Sequence, residues 1–102
     1  MTLQTMLVLQ VLLSDPTERR YGLELCEKTG QLPGTVYLIL ARLEHKYRWI
    51  ERHVESPVEH LAEGRRARHY YLLTDDGAVK ARAAIERAKR KRAAVRLRTE
   101  TS

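Results

Sequence analysis

The stretch LPGTVYLILARLE, residues 32–44, decides the fold because its apolar side chains follow the period of a helix with one buried face. Those side chains recur every three or four residues, at Val36, Ile39, Leu40 and Leu43. Thr35, Tyr37 and Leu38 fall outside this stripe and are expected to face solvent. The sequence therefore predicts a helix that is anchored on one side and presents a tyrosine and a leucine on the other.

Another predicted helix precedes this one and is separated from it by a short turn. Residues 19–29 have the apolar spacing of a helix with Leu23 and Cys26 facing inward and Leu25 as a further inward candidate. Gly30 supplies a C-terminal stop. Pro33 suits the first position of the next helix, where its missing N–H has no partner to lose. Two helices joined by a Gly-containing turn are typical of a helix-turn-helix, with residues 33–46 as its second helix.

The rest of the chain supplies the other elements of a winged helix-turn-helix. Residues 2–13 are apolar on nearly every side and predict a first helix packed between neighbours. Residues 48–54 and 67–73 are rich in β-branched and aromatic residues and predict two strands, with residues 55–66 between them as a wing. Thr74 then caps a last helix. The predicted fold class is α+β, mainly α, with a winged helix-turn-helix DNA-binding domain (1–74), a C-terminal dimerisation helix (75–98) and a disordered tail (99–102).

Composition narrows the class of protein and its partners. The chain has 102 residues and a formal net charge of +6, which favours a polyanionic partner such as nucleic acid. Most of the excess charge lies in the last helix, so net charge alone does not locate a DNA-binding face. The single cysteine, Cys26, cannot form an internal disulfide, and the sequence has neither a membrane-spanning apolar run nor a secretory signal. We therefore expect a cytoplasmic protein.

The outward face of residues 33–46 is the candidate DNA-reading surface, because the second helix of a helix-turn-helix lies in the major groove. The candidate contacts at its N-terminal end are Pro33, Gly34, Thr35, Tyr37 and Leu38. Thr35 can hydrogen-bond a base or a phosphate, and Tyr37 and Arg42 can reach the DNA backbone. The alternative is that Tyr37 and Leu38 pack against the first helix or the wing.

Two further surfaces are predicted from charge and spacing. The wing carries Arg65, Arg66 and Arg68, which suit phosphates or a narrow minor groove; the alternative is a solvated basic loop. The last helix has small and apolar residues at coiled-coil spacing, which predict a dimer interface. The predicted interface residues are Leu3, Ala78, Ala81, Ile85, Ala88 and Val95. The alternative is a helix that packs on its own domain and projects its basic end into solvent.

Binding, rather than metal chemistry or catalysis, is what the sequence predicts. The four histidines are widely spread and no Cys/His pair has zinc-site spacing, so we expect no metal and no cofactor. The sequence shows no legible nucleophile–base pair and no Gly-rich phosphate loop, so an enzyme is not expected.

Two blocks of sequence, YGLELCEKTGQLPGTVYLILARLE (21–44) and GRRARHYYLLTDDG (64–77), resemble PadR-like transcriptional regulators. The residues that fit the family, in order, are Tyr21-Gly22, Gly34-Thr35-Val36-Tyr37, Arg42-Leu43-Glu44, Gly64-Arg65, Tyr70-Tyr71, Leu73-Thr74 and Gly77. The match spans residues 5–84, and the single last helix is similar to the short PadR type.

This resemblance implies a homodimeric repressor that binds a palindromic operator, with the third helix in the major groove, the wing on flanking backbone and the last helix in dimerisation. It also makes Tyr21 a candidate phosphate contact. The sequence departs from the family at Leu38 and Arg66, where proline is usual, and at KYRWI (46–50), which lacks the glycine of the usual EGWI.

The main functional prediction is a sequence-specific DNA-binding transcriptional regulator whose partners are double-stranded DNA and a second copy of the chain, and not a membrane. Two alternatives stay open. One is a winged-helix module that binds protein through Tyr37 and Leu38. The other is an effector-responsive regulator that holds a small hydrophobic ligand at its dimer interface.

Overall fold

The computed structural model describes the backbone of residues 1–101 and the side chains of residues 1–99. Five helices and three short strands follow one another along this part of the chain. They are α1 (Leu3–Ser14), β1 (Arg20–Tyr21), α2 (Gly22–Thr29), α3 (Pro33–His45), β2 (Ile50–Val54), α4 (Pro57–Leu61), β3 (His69–Leu73) and α5 (Asp75–Thr101). The predicted winged helix-turn-helix is confirmed, with element ends that shift by a few residues. The strand β1 and the helix α4 were not predicted.

The three strands form one antiparallel sheet in the order β1-β3-β2. In the β2–β3 hairpin Ile50 lies opposite Leu73 and Val54 opposite His69, so the wing projects beyond Val54. On the other side of β3, Arg20 lies opposite Tyr71. Because β1 occupies residues 20 and 21, α2 begins at Gly22 and not at the predicted residue 19.

Arg20 ties the short strand β1 to the helices on either side of it. Its side chain is buried, and its Nη2 donates to the Ser14 hydroxyl at 3.1 Å while its Nη1 donates to Glu24 at 3.3 Å. A buried guanidinium is tolerated where carboxylates and hydroxyls accept its hydrogen bonds. This network fixes the C-terminal end of α1 against the start of α2.

The core is built from one face each of α1, α3 and α5, with Leu25 from α2 and Ile50 and Tyr71 from the sheet. The predicted stripe of α3 is confirmed, since Val36, Ile39, Leu40 and Leu43 are all buried. α1 contributes Met6, Val8, Leu9 and Leu12 to the same cluster. In α2 Leu25 is buried and Cys26 packs against the core, as predicted, whereas Leu23 is exposed and was wrongly predicted to face inward.

α5 is 27 residues long, and its two halves differ in environment. The first half packs on α1 and the core, burying Ala78, Ala81 and Ile85 inside this chain. The prediction of a dimer interface is therefore wrong at these three positions, which make intrachain contacts. Ala88 is partly buried, and Leu3 and Val95 remain exposed.

The C-terminal end of α5 lies beyond the predicted boundary. The helix continues through Thr101, so residues 99–101 are helical and not part of a disordered tail. Ser102 lies outside the described residues. Within residues 1–101, every helix is too short or too polar to cross a membrane.

Candidate nucleic-acid interface

The first turn of α3 is presented to solvent by the four buried residues behind it. Leu32, Pro33, Gly34 and Thr35 are all exposed. A Cβ added at Gly34 would meet no atom within 4 Å, so the space in front of this turn is open. The N-terminal end of a helix carries a partial positive charge, which attracts phosphate. The predicted reading surface is thus accessible, and its backbone can approach a ligand closely.

Tyr37 and Leu38 follow on the same helix but differ in their packing. A Cβ added at Gly22 would lie 2.3 Å from Tyr37 Oη, which shows that the phenol of Tyr37 rests directly on the start of α2. Tyr37 keeps 43% of its surface exposed, and Leu38 keeps 55%. The Tyr37 ring is therefore partly packed, although it packs on α2 and not on the first helix or the wing. Leu38 faces solvent.

A groove of about 660 Å³ separates the helix-turn-helix from the wing strands. Tyr37 lines one side of it, and Arg52, His69 and Tyr71 line the other. Burial raises the pKa of the Tyr71 hydroxyl above its usual value. Arg52 and His69 were missed in the sequence. The signal that identifies Arg52 is strand alternation, which places it opposite Tyr71 and on the same face of the sheet.

Arg42 lies farther along the exposed side of α3, in its last turn. Among the side chains of residues 1–99, Arg42 forms no ion pair, in contrast to the nearby Arg52, whose Nε is 3.8 Å from Glu44 Oε2. Arg42 is therefore available to an external anion, and its contact with DNA stays a prediction.

The wing is organised around a buried carboxylate, Glu55. Both terminal nitrogens of Arg65 donate to it, with Nη2 at 2.8 Å from Oε2, and the backbone N–H of Arg68 donates to Oε1 at 2.7 Å. Arg65 Nε also donates to Glu63 at 2.8 Å. Bidentate arginine–carboxylate contacts are stronger than hydrogen bonds between uncharged groups. Arg65 and Arg68 hold the base of the wing through these bonds, and their predicted contact with DNA stays a prediction.

Arg66 differs from its two neighbours. Its side chain is exposed, and among residues 1–99 it makes no ion pair. Of the three predicted wing arginines, it is therefore the one whose charge is free to meet a phosphate.

Tyr21, the other predicted phosphate contact, belongs to an aromatic cluster on the sheet. The Arg68 guanidinium lies 4.2 Å from the centroid of its ring, and the ring of Tyr70 contacts it edge-on at 6.2 Å. The Tyr21 backbone N–H donates to Glu24 Oε1 at 3.2 Å, which helps to start α2. The ring is only partly buried, so Tyr21 combines a packing role with access to solvent.

The unpredicted helix α4 is fastened to the body of the domain. Glu59 accepts from Arg19 Nη1 at 2.8 Å, and the Arg19 guanidinium lies 4.2 Å from the Tyr70 ring centroid. This leaves two apolar side chains of α4 facing solvent, Val58 at 83% exposed and Leu61 at 67%. The wing therefore carries apolar as well as basic surface.

Replacing Glu55 with Gln is expected to weaken the wing and to remove an acid-sensitive part of the stability. The hydrogen bonds from Arg65, opposed by burial, hold the pKa of Glu55 well below its usual range. A carboxyl with a depressed folded-state pKa contributes stability above its unfolded pKa of about 4.3 and loses it as the pH falls. Urea unfolding between about pH 5 and pH 2 should therefore show a steeper loss for the wild type than for Glu55→Gln.

The control for that experiment is Glu63→Gln, because Glu63 also contacts Arg65 but is largely exposed. This variant should follow the wild-type pH dependence, since exposed ion pairs contribute little. Parallel curves for the wild type and Glu55→Gln would show that the Glu55 cluster does not stabilise the folded chain.

The arrangement of helices and wing is shared with solved transcription regulators. MepR of S. aureus in its DNA-binding conformation superposes with a TM-score of 0.65 at 17% identity, covering 94% of this chain and 66% of MepR. A MepR–DNA complex gives 0.63 at 19% identity, covering 99% of this chain and 80% of MepR. A MarR family transcription regulator gives a TM-score of 0.60 at 22% identity, covering 100% of this chain and 59% of the regulator.

These likenesses establish the fold. The chain is a winged helix-turn-helix. It spans 55% to 66% of the length of several MepR chains that it matches. No protein-family model matches the sequence. No curated protein matches it either. The matched regulators are MepR and MarR-family proteins, so the specific resemblance to PadR-like regulators stays a prediction.

Proposed function

We propose that the chain is a sequence-specific DNA-binding transcriptional regulator of the PadR-like type that represses from a palindromic operator as a homodimer. The observation that carries the proposal is the exposed first turn of α3, from Pro33 to Thr35, which a fully buried stripe holds in place. In a winged helix-turn-helix this turn enters the major groove. The MepR–DNA complex, which has the same fold, supports this assignment.

In this proposal the interface residues have unequal roles. Thr35 and Leu38 face base edges, and Tyr37, supported by Gly22, reaches the backbone beside them. Arg42 and Arg66 supply charge to phosphates, because neither forms an ion pair among the described side chains. Arg65 and Arg68 keep the wing folded and contribute to binding through its shape.

A second copy would complete the binding unit. The exposed side chains of Leu3 on α1 and Val95 on α5 are the predicted interface residues that the chain itself leaves uncovered. A chain of this size gains stability by covering such surface. Two copies would place their α3 helices in successive major grooves about 34–36 Å apart. The protein would work in the cytoplasm.

The experiment that tests the proposal is selection of bound sequences from random duplex DNA by the full chain. We expect a two-fold symmetric motif, with an affinity that falls steeply as salt increases, since phosphate contacts release counterions. Retention of random duplexes without enrichment, or no retention at all, would refute sequence-specific regulation.

On the selected duplex, Thr35→Ala and Arg66→Ala are expected to act differently. Loss of a base contact at Thr35 should reduce discrimination at one position of each half-site by about 1–3 kcal/mol. Loss of Arg66 should weaken binding to all duplexes alike and reduce the salt slope by about 1. Competition gel shifts with single-base variants at several salt concentrations measure both quantities. Equal losses on every duplex for both variants would contradict this division of roles.

A second candidate function is a winged-helix module that binds protein. The observation that favours it is the exposure of Val58 and Leu61 on the wing, where a purely DNA-gripping wing would carry cations. Two results together would favour this second function. One is the absence of DNA binding at low salt. The other is the loss of a captured partner protein from a double variant that carries Val58→Ser and Leu61→Ser.

A further inference from the structure

The second half of α5 extends beyond the body of the domain as a helix that no other part of the described chain covers. Every side chain from residue 89 to residue 99 is exposed, and the described chain is 61 Å long but only 27 and 22 Å across. We call residues 87–98, about 18 Å of helix, the basic arm. Its cations are Arg87, Lys89, Arg90, Lys91, Arg92, Arg96 and Arg98.

The net charge of the chain depends on the basic arm. The arm contains seven cations and no acidic residue, whereas the whole chain has a net charge of +6, so the other 90 residues together carry −1. The rest of the chain is thus close to neutral, and it attracts phosphate only through local groups. Long-range attraction of the chain to a polyanion therefore has to come from the arm.

The cations of the arm repel one another and are not neutralised within the described chain. Arg87 and Lys91 are four residues apart, as are Arg92 and Arg96, and like charges at this spacing destabilise a helix. Among the side chains of residues 1–99, the first six of the seven cations form no ion pair. In the first half of α5, by contrast, Lys80 is 2.9 Å from the carboxylate one turn before it. An anionic partner would remove the repulsion along the arm.

The composition of the arm favours the backbone of double-stranded DNA over other anionic partners. Five of its seven cations are arginines, whose planar guanidinium matches phosphate. The arm has no aromatic residue, so it offers neither the stacking surface that binds single strands nor the aromatic anchor that is typical of a protein interface. Its exposed larger apolar residues, Val95 and Leu97, are two positions apart and point to nearly opposite sides of the helix. The arm therefore lacks the continuous apolar face that a lipid surface requires.

We propose that the basic arm binds the phosphate backbone of double-stranded DNA without sequence preference, as a contact additional to the first turn of α3. The arm leaves the body beside the last turn of α3, where Lys91 lines the same groove as Met1 and Arg42. The first turn of α3, with Thr35, is about 10 Å away along that helix. The arm and the reading turn are therefore different surfaces, and the last helix does more than contribute to a dimer.

The arm can contact DNA while a second copy of the chain is bound. The proposed function assigns Val95 to the dimer interface. Lys89, Arg90 and Arg96 are exposed, and helical geometry turns each of them by about 100° or more away from Val95. A second copy that covers Val95 therefore leaves these three cations open to phosphates.

The arm is tested with a triple variant that carries Lys89→Gln, Arg90→Gln and Arg96→Gln. The probe is a fluorescent duplex of random sequence, so base reading by α3 does not enter, and anisotropy measures its affinity at several salt concentrations. We expect the affinity at low salt to fall by about 10-fold or more. The slope of log K against log salt should become shallower by about 2–3, because each phosphate contact contributes about 0.9. Glutamine is a good helix former, so the helical content should not fall.

The matched control carries Lys28→Gln, Lys46→Gln and Arg82→Gln, which remove the same charge from exposed positions outside the arm. This control changes the general field of the protein equally, and its salt slope should change by less than about 1. Equal slopes for the two triple variants would overturn the proposal. Sedimentation compares their oligomeric states, and a changed mass in the arm variant alone would assign its cations to the dimer and also overturn the proposal.

Polyglutamate distinguishes DNA from an acidic protein as the partner of the arm. Unlabelled random duplex should displace the fluorescent duplex at a much lower charge concentration than polyglutamate does, since duplex DNA carries one charge per about 1.7 Å of its axis. Equal displacement by the two competitors would overturn the assignment to DNA and favour an acidic protein.

On the selected duplex the arm should change affinity and not specificity, and this step rests on the proposed function. The arm variant should weaken binding to the selected motif and to its single-base variants by the same factor, because phosphate contacts carry no sequence information. A changed ratio between these duplexes would contradict a sequence-independent contact. If selection yielded no motif, the proposed regulator would be refuted and the random-duplex result would stand. If the two triple variants behaved alike, the arm would be refuted and the selected motif would stand.

Discussion

Gly77→Ala is expected to destabilise the chain by about 2–4 kcal/mol, and to lower Tm by about 10 °C or more, because this position has no room for a methyl group. A Cβ built at Gly77 would lie 2.0 Å from the carbonyl oxygen of Trp49 and 2.6 Å from its carbonyl carbon. Both are backbone atoms, so no side-chain rotation relieves the clash. Urea and thermal unfolding of the variant measure the loss.

The backbone around Gly77 cannot easily move away from Trp49. The Thr74 N–H donates to Trp49 O at 2.9 Å, and the Thr74 hydroxyl accepts from the Gly77 N–H at 2.8 Å. These bonds place the first turn of α5 directly on the residue that precedes β2. Relief of the clash would break the helix cap and move α5 on the core, where Ala81 is fully buried.

Gly34→Ala is the matched control, because Gly34 also lies in the first turn of a helix. A Cβ at this position meets nothing within 4 Å, so the substitution should raise stability by about 0.5–1 kcal/mol through the lower entropy of the unfolded chain. If Gly77→Ala were as stable as the wild type, the first turn of α5 would not lie against the backbone of Trp49.

The sequence predicts those parts of the fold that local spacing determines. The buried stripe of α3 is predicted correctly because four apolar residues at helical intervals leave only one face to bury. In contrast, β1 is two residues long and α4 is five, which is too short for any period to show. The strand β1 exists only through its pairing with β3, and α4 is held by the Arg19–Glu59 contact forty residues apart in sequence.

A spacing pattern predicts that a residue makes a contact but does not identify the contact partner, which explains the wrong predictions on α5. Small residues at coiled-coil spacing on α5 indicate a helix contact, but the same spacing serves a dimer seam or the chain's own core, and Ala81 and Ile85 are in the core. Likewise, charge counting gives three wing arginines equal weight. Hairpin pairing singles out Arg68, which lies across from Glu55, whereas the contact of Arg65 with Glu55 depends on the folded wing.

Thr35→Asp is expected to reduce affinity for the selected duplex by at least about 100-fold, or about 2.7 kcal/mol, without loss of folding stability. Thr35 is exposed in the first turn of α3, where a carboxylate is favoured by the helix dipole by about 0.3–1 kcal/mol. The same carboxylate would meet the phosphates and base edges of the major groove, and like charges brought together at an interface cost several kcal/mol. Stability and DNA affinity therefore move in opposite directions, which separates an interface effect from misfolding.

Lys28→Gln controls for the change in net charge that accompanies Thr35→Asp. Lys28 is exposed in the last turn of α2, and its loss also lowers the net charge of the chain by one. This variant should weaken binding only slightly, through the general field of the protein. Gel shifts at fixed salt measure the DNA affinity of both variants, and urea unfolding measures the folding stability of both. If Thr35→Asp and Lys28→Gln lost the same small amount of affinity, the first turn of α3 would not face DNA, and the exposed apolar residues of the wing would become the better candidate for the binding surface.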